Sequence, residues 1–379
     1  MKILLAPDSF KGSLTAVEFC RIAELAIRGL EPEAEVVALP MADGGEGTVE
    51  SLVLNTGGTM KKMWVTGPLG EPVEAFYGVL GDGVTAVIEM ASASGLPLVP
   101  LDQRNPMKAT TYGTGELILK VLDEGCSRLI MGIGGSATND GGAGLMQALG
   151  FELLDQDGNQ IAWGAKGLLS LHLIKTNQAD PRLEKLLVEV ACDVDNPLTG
   201  LNGAAAVYGP QKGADPTMVK LMDQALENFA ACIQRDLKLE VSDLKGAGAA
   251  GGLGAGLSAF LQAELKMGFE IIRDTIELDK RIDQGFDLVI TGEGQMNAQT
   301  LRGKLPMGIA KLCKEKEIPV IAIVGAIGTG IEHLYEEGLS SVFSIVNGPM
   351  DLEEAMENSQ ALLADTVERV IRMLQAFSN

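Results

Sequence analysis

The sequence predicts an α/β protein: an open parallel sheet, Rossmann-like or flavodoxin-like, with a second mixed α/β domain inserted into it. Three observations carry this. Apolar residues make up 46% of the 379, with aromatics at only 4% and 47 glycines, a balance suited to many short buried strands that turn into helices. After Asp283 apolar runs of strand length alternate strictly with helix-period stretches, the mark of a parallel sheet covered by helices. Between Lys61 and Glu89 that texture breaks. Gly67-Pro68, Gly70-Glu71-Pro72 and Gly81-Asp82-Gly83 punctuate short β-like runs as hairpins do.

The elements follow in order. Lys2 to Ala6 reads as a buried strand. Thr15 and Glu18 form a capping box, and Phe19, Ile22, Ala26 and Leu30 follow at helical spacing. Val36 to Leu39 is a second strand, with a short helix after Gly47. Glu116 to Leu122 is helical, Arg128 to Met131 and Leu186 to Cys192 are buried strands, and Met218 to Leu237 is a long amphipathic helix. The small-residue run Gly246 to Gly256 leads into a helix ending near Glu264. Leu288 to Thr291, Val320 to Val324 and Val342 to Ile345 are strands, Ile309 to Glu315 is a helix, and one final helix is expected from Leu352 to Leu374. Because the two ends share one texture and the middle has another, residues 1–57 with 284–379 are assigned to the first domain and 58–283 to the inserted one. Two consecutive domains with a boundary near residue 200 are the rival division.

Bulk properties narrow the function. A formal charge of −21 argues against nucleic acid or an anionic membrane as partner, so a phosphate ligand must be met by a few local lysines and backbone amides. The N-terminal apolar run stops at Pro7-Asp8, too short for a signal peptide or a membrane span. Five widely spaced cysteines without a CxxC pair fit reduced thiols in a cytoplasmic enzyme. Two histidines, His172 and His333, lie away from the glycine-rich loops, which disfavours zinc and Ser-His chemistry. No GxxxxGK[ST] and no protein-kinase signature occur.

Five loops just after apolar strands, where open α/β sheets place their ligands, could carry chemistry. They are PDSFKG with Asp8, Ser9 and Lys11; ADGGEGT with Asp43, Gly44, Gly45 and Glu46; GIGGSATNDGGAG from Gly132 to Gly144; DVDNPLTG with Asp193, Asp195 and Asn196; and GEGQMNAQTLRGK with Glu293, Asn297 and Lys304. The third has six glycines in thirteen residues, far more than an ordinary connection needs. Its Gly134 and Gly135 can bring bare backbone N–H groups against an anion, Ser136, Thr138 and Asn139 add hydrogen-bonding groups, and Asp140 adds a carboxylate able to hold Mg²⁺. Together these loops collect carboxylates for Mg²⁺ and for an attacking hydroxyl, with lysines and amides for phosphate charge, the mix phosphoryl transfer requires. Lys212 in GPQKGA is evenly balanced between a phosphate contact and a surface lysine beside a turn. Gly132, Gly134 and Ala137 also satisfy GxGxxA, with Asp155 about where a ribose-binding acid belongs, so an NAD-dependent oxidoreductase is the alternative. Against it, Asn139-Asp140-Gly141-Gly142 would break the helix that the fingerprint requires.

APDSFKGSL, ADGGEGT, VTGPLG, IEMASASGL, GTGELI, GIGGSATNDGGAG, ACDVDNPLTG, YGPQKGA, GAGAAGGLGA and TGEG followed by GK occur in the order seen in bacterial glycerate kinases, and the chain resembles that family over nearly its whole length. The resemblance implies two α/β domains with the active site in the cleft between them. It further implies phosphorylation of glycerate with ATP and Mg²⁺ in the cytoplasm, at the 2-hydroxyl rather than the 3-hydroxyl, with a homodimer as a possible assembly. Lys11, Asp43 and Asp193 are the candidate catalytic residues, and the catalytic base is open among Asp43, Asp193 and Asp195. Asp193, Asp195 and Glu293 are the candidate Mg²⁺ ligands. One loop departs from the pattern: where the family carries arginine, an apolar residue and aspartate after GEG, this chain has Gln295, Met296 and Asn297. A catalytically weakened, ligand-binding relative is the reading that this departure keeps open.

Overall fold

The computed structural model describes residues 1–298, 300 and 305–377. The chain separates into a first unit, Met1–Asp43 with Phe269–Asn379, and a second, Gly44–Gly268, set within the first in sequence. The crossings fall at 43/44 and 268/269 rather than at 57/58 and 283/284, and residue 200 lies inside the second unit. Packing decides this. The helix Thr48–Thr56 lays Val49 and Val53 on Gly78 of the second unit's sheet, and Phe269 packs its ring on Gly308 of the first unit.

The first unit holds five parallel strands in the order Glu35–Ala38, Lys2–Leu5, Leu288–Thr291, Val320–Val324, Ser341–Ser344. Numbered along the unit, this is the 2-1-3-4-5 order of flavodoxin-like sheets, in which the strand order reverses between the first strand and the third. Ile3 pairs with Leu288, and Val289 with Val320. Both faces are covered, so the strands read as continuous apolar runs. Thr15 and Glu18 close the capping box of Ala16–Leu30, and Phe19, Ile22, Ala23, Ala26 and Ile27 bury one stripe of that helix. The C-terminal helix is not one but two, Leu352–Glu357 and Ser359–Phe377. Asn358, at φ −94° and ψ 7°, separates them, its backbone N–H and its side-chain amide both donating to the Glu354 carbonyl.

The second unit carries a six-stranded mixed sheet in the order Glu264–Lys266, Leu187–Ala191, Arg128–Gly132, Thr85–Glu89, Pro72–Val79, Thr59–Thr66. Its first four strands are parallel and the last two complete an antiparallel meander, as the hairpin punctuation predicts. The glycine-rich helix Ala249–Leu261 is bent where Ala250, Gly251 and Gly252 take positive φ. A Cβ at Gly251 would stand 2.1 Å from the Thr138 carbonyl, and one at Gly256 2.1 Å from that of Gly141. Gly251, Gly252 and Gly256 therefore serve close packing against the Gly132–Gly144 loop. Among the described residues no helix is long and apolar enough to cross a membrane.

Candidate functional site

In the first unit the loops at the reversal point, after Lys2–Leu5 and Leu288–Thr291, open onto a cavity of about 530 Å³. Asp8, Ser9, Lys11, Asp43, Glu293 and Asn297, six of the residues expected from sequence, line it together, as does Gln295. The Asp8–Leu14 loop is shaped locally: Phe10 and Leu14 exchange two backbone hydrogen bonds, and Gly12 supplies the turn with φ +77°. Asp8 is 7% exposed and accepts the Ser9 backbone N–H at 2.7 Å. Burial, then the charge of Asp43 and last that of Glu293, push its carboxyl up to about 8, against the pull of Lys11. The Glu293 carboxylate accepts the buried Thr300 hydroxyl at 2.7 Å, and the same hydroxyl accepts the Asn297 backbone N–H at 3.2 Å. Ser9 Oγ is buried without a hydrogen-bond partner among the described residues, a polar atom of the kind a ligand satisfies. Lys304 lies outside the described residues. An apolar part of the lining, which the sequence analysis missed, comes from Ile345, Val346, Met350, Leu352, Ala355 and Met356, with Met356 against Gly12 and Ser13 of the Lys11 loop. The residues that carry it, NGPMDLEEAM, show no chemistry-bearing pattern, only a short amphipathic turn beside a Gly-Pro pair.

In the second unit the glycine loop follows its strand at the carboxyl edge of the sheet. Gly44, with φ +91°, approaches Ala191 so closely that a Cβ would stand 2.3 Å from that side chain. A Cβ at Gly132 would meet the Gly44 carbonyl at 2.5 Å, and one at Gly134 the Gly45 Cα at 3.4 Å. Gly44-Gly45 and the GIGG loop thus lie side by side, with Gly134 and Gly135 exposed. Behind them two buried ionisable groups hold the backbone. Asp140 Oδ2 accepts the Thr111 N–H and hydroxyl and the Gly144 N–H, and Oδ1 accepts the Gly142 N–H. Its carboxylate, expected to reach Mg²⁺ or phosphate, is instead committed to its own loop, and burial raises its pKa. Lys212 is 1% exposed, which overturns the surface-lysine reading. Its ammonium donates to Ser136 Oγ at 2.8 Å and to the Thr138 carbonyl at 2.6 Å, and burial brings its pKa down to about 7. Thr138 Oγ1 and both polar atoms of the fully buried Asn139 have no hydrogen-bond partner among the described residues.

Asp193 and Asp195 are exposed beyond Leu187–Ala191, Asp193 accepting the Gly268 N–H at 2.8 Å. Asn196 is occupied internally, accepting the Tyr208 hydroxyl at 2.6 Å and donating to the Asn202 carbonyl at 2.8 Å. Glu89 was missed. It ends an otherwise apolar strand, takes the Val49 N–H at the start of Thr48–Thr56 at 2.9 Å, and is pushed by burial up to about 7. A carboxylate closing the run TAVIE was the available signal. Among the described residues no group of three or more His, Cys, Asp or Glu side chains is arranged to hold a metal ion.

The GxGxxA reading fails on geometry. The helix begins at Ala143, well beyond Ala137, so no helix N-terminus follows the fingerprint, and Asp155 sits in a tight turn accepting the Asp157 and Asn159 N–H groups.

Comparison with known proteins shows the family. The family model of the glycerate kinase family matches residues 3–375. The glycerate kinase of Bacillus subtilis (strain 168) is 52% identical, over 99% of this chain and 97% of that protein. The glycerate 2-kinase of Escherichia coli (strain K12) is 48% identical, over 95% and 94%. A crystal structure assigned to glycerate kinase 2 of Salmonella typhimurium LT2 aligns with a TM-score of 0.88 at 48% identity, covering 100% of this chain and 99% of that one.

Proposed function

The chain belongs to the glycerate kinase family, and on that premise we propose that it transfers the γ-phosphoryl group of Mg²⁺-ATP to the 2-hydroxyl of D-glycerate, giving 2-phosphoglycerate and ADP. That it is an enzyme, a phosphotransferase acting on glycerate, follows from the family. The nucleotide, the metal and the position of attack are the proposal. The observation that carries it is the convergence of Asp8, Lys11, Asp43, Glu293 and Asn297 on one cavity at the reversal point of the sheet.

In this reading the glycerate 2-oxygen forms a bond to the γ-phosphorus while the bond from that phosphorus to the bridging oxygen of the β-phosphate breaks. Asp43 takes the hydroxyl proton, and Lys11 meets the negative charge that spreads over the transferring group. The exposed backbone of Gly134 and Gly135 supplies amides to phosphate, and Lys212 acts through Ser136 and Thr138 to hold that backbone in place. The residues fit Mg²⁺ in its usual style of one or two protein carboxylates completed by phosphate oxygens and water. Asp43 and Glu293 crowd Asp8 with negative charge that a cation would relieve, and Asp193 and Asp195 are exposed carboxylates at a strand end. When bound, the metal would neutralise phosphate charge. The E. coli relative's name supports the 2-position, and five buried free thiols support the cytoplasm as the compartment.

The test is ADP release from ATP and D-glycerate in a coupled assay, with product passed directly to enolase, which dehydrates 2-phosphoglycerate but not 3-phosphoglycerate. ADP without an enolase signal assigns the 3-position. No ADP while glycerate still binds identifies a silent relative, the outcome that Gln295 and Asn297 keep open.

A further inference from the structure

The cavity of the first unit is lined by two kinds of surface, and they suit different chemistry. Part of it sets Lys11 among carboxylates, whereas Ile345, Val346, Met350, Leu352, Ala355 and Met356 add hydrocarbon and thioether surface; the one carboxylate beside these, Asp351, accepts the Glu354 N–H at 2.8 Å. Leu352 is 75% exposed and Val346 36%, so the apolar wall reaches the mouth as uncovered surface. A three-carbon hydroxy acid, anionic and without an apolar face, gains nothing from such a wall. A cavity of about 530 Å³ also falls within the range of roughly 300–1,000 Å³ that holds larger ligands. A nucleotide has a matching division, with a flat, uncharged ring at one end and phosphates at the other. Methionine suits a ring face, since its unbranched, polarisable thioether adapts to an aromatic surface, and Met350 and Met356 both line this wall.

Resting on the ATP reading above, we infer that Val346, Met350, Leu352 and Met356 form the slot for the heterocyclic base of the nucleotide. The helix Leu352–Glu357 serves as one wall of this slot. The ending of that helix at Asn358 thereby acquires a use: six residues are set apart from the long helix Ser359–Phe377 and presented to the cavity.

Calorimetric titration of the full chain with ADP, adenosine and inorganic tripolyphosphate tests this without requiring turnover. Leu352→Asp and Val346→Asp both alter exposed side chains, and an unchanged thermal midpoint certifies each fold. The expected result is that ADP and adenosine bind about tenfold or more weakly in each variant, while tripolyphosphate stays within about twofold. Equal weakening of ADP and tripolyphosphate, or ADP affinity unchanged in both variants, overturns the slot. If the parent chain shows the expected pattern yet releases no ADP from ATP and glycerate, the kinase reading fails and the base slot stands.

Discussion

Lys11 and Lys212 stand for two ways of using charge in one chain. In the first unit Lys11, Asp8, Asp43 and Glu293 line an open cavity, where burial and the charges of Asp43 and Glu293 raise the proton affinity of Asp8. In the second unit Lys212 and Asp140 are buried and spend nearly all their hydrogen-bonding capacity on backbone and on the Ser136 and Thr111 hydroxyls. The first arrangement is open to a ligand and the second fixes the shape of a glycine loop. Glycine brings amides close to an anion but leaves a backbone with many conformations, so a loop with six glycines needs internal anchors to hold one of them.

The comparison breaks first at Lys11. Lys11→Ala is expected to lower kcat by roughly two orders of magnitude with the thermal midpoint unchanged, since a charge aimed at a transferring phosphoryl group acts in the transition state and an exposed lysine adds little to stability. Steady-state kinetics beside a thermal melt read both quantities, and near-normal kcat removes Lys11 from the site.

Lys212 should show the opposite signature, in the pH dependence of stability. The unfolded lysine holds its proton up to about 10.5, whereas in the fold it gives it up at about 7. Between those values the unfolded state binds more protons, so the Lys212 contribution makes stability rise with pH. Denaturant unfolding of the parent and of Lys212→Met across this window should diverge in the parent's favour, by up to about 1 kcal/mol per pH unit. Parallel curves would show that Lys212 does not titrate there.

Smaller in effect is the departing loop, whose Gln295 and Asn297 line the Lys11 cavity. Gln295→Arg with Asn297→Asp is expected to raise kcat/KM for glycerate about tenfold, or ~1.4 kcal/mol. Each single change should give less than half of that free energy, because one charge is then left without its partner. A double variant no faster than the parent shows the loop to be tolerant and the parent fully competent. The smallest effect is expected at Asp193, where Asn should raise severalfold the Mg²⁺ concentration giving half-maximal activity while leaving kcat at saturating metal close to the parent's. An unchanged metal dependence makes Asp193 a structural partner of the Gly268 amide.

Much of this architecture was legible from residue order alone. Strand-helix alternation after Asp283, the hairpin glycines between 67 and 83, and the Thr15–Glu18 capping box are local patterns, and each reappears where local physics puts it. The strand-end loops were legible for the same reason, and so were Asp8, Lys11, Asp43, Glu293 and Asn297 as candidates. What tertiary structure decided is burial and partnership, which depend on residues far apart in sequence. Lys212 follows a Gly-Pro turn and reads like any turn lysine until Ser136 and Thr138 close over it from 76 and 74 residues away. Asp140 reads as a metal carboxylate until Thr111, 29 residues earlier, takes one of its oxygens. Glu89 reads as the end of a strand until the amide of Val49 meets it. Periodicity and turn chemistry act over a few residues and are written in the sequence. Whether a charge meets water or a backbone amide is settled only when distant segments pack, because desolvation is a property of the assembled surroundings.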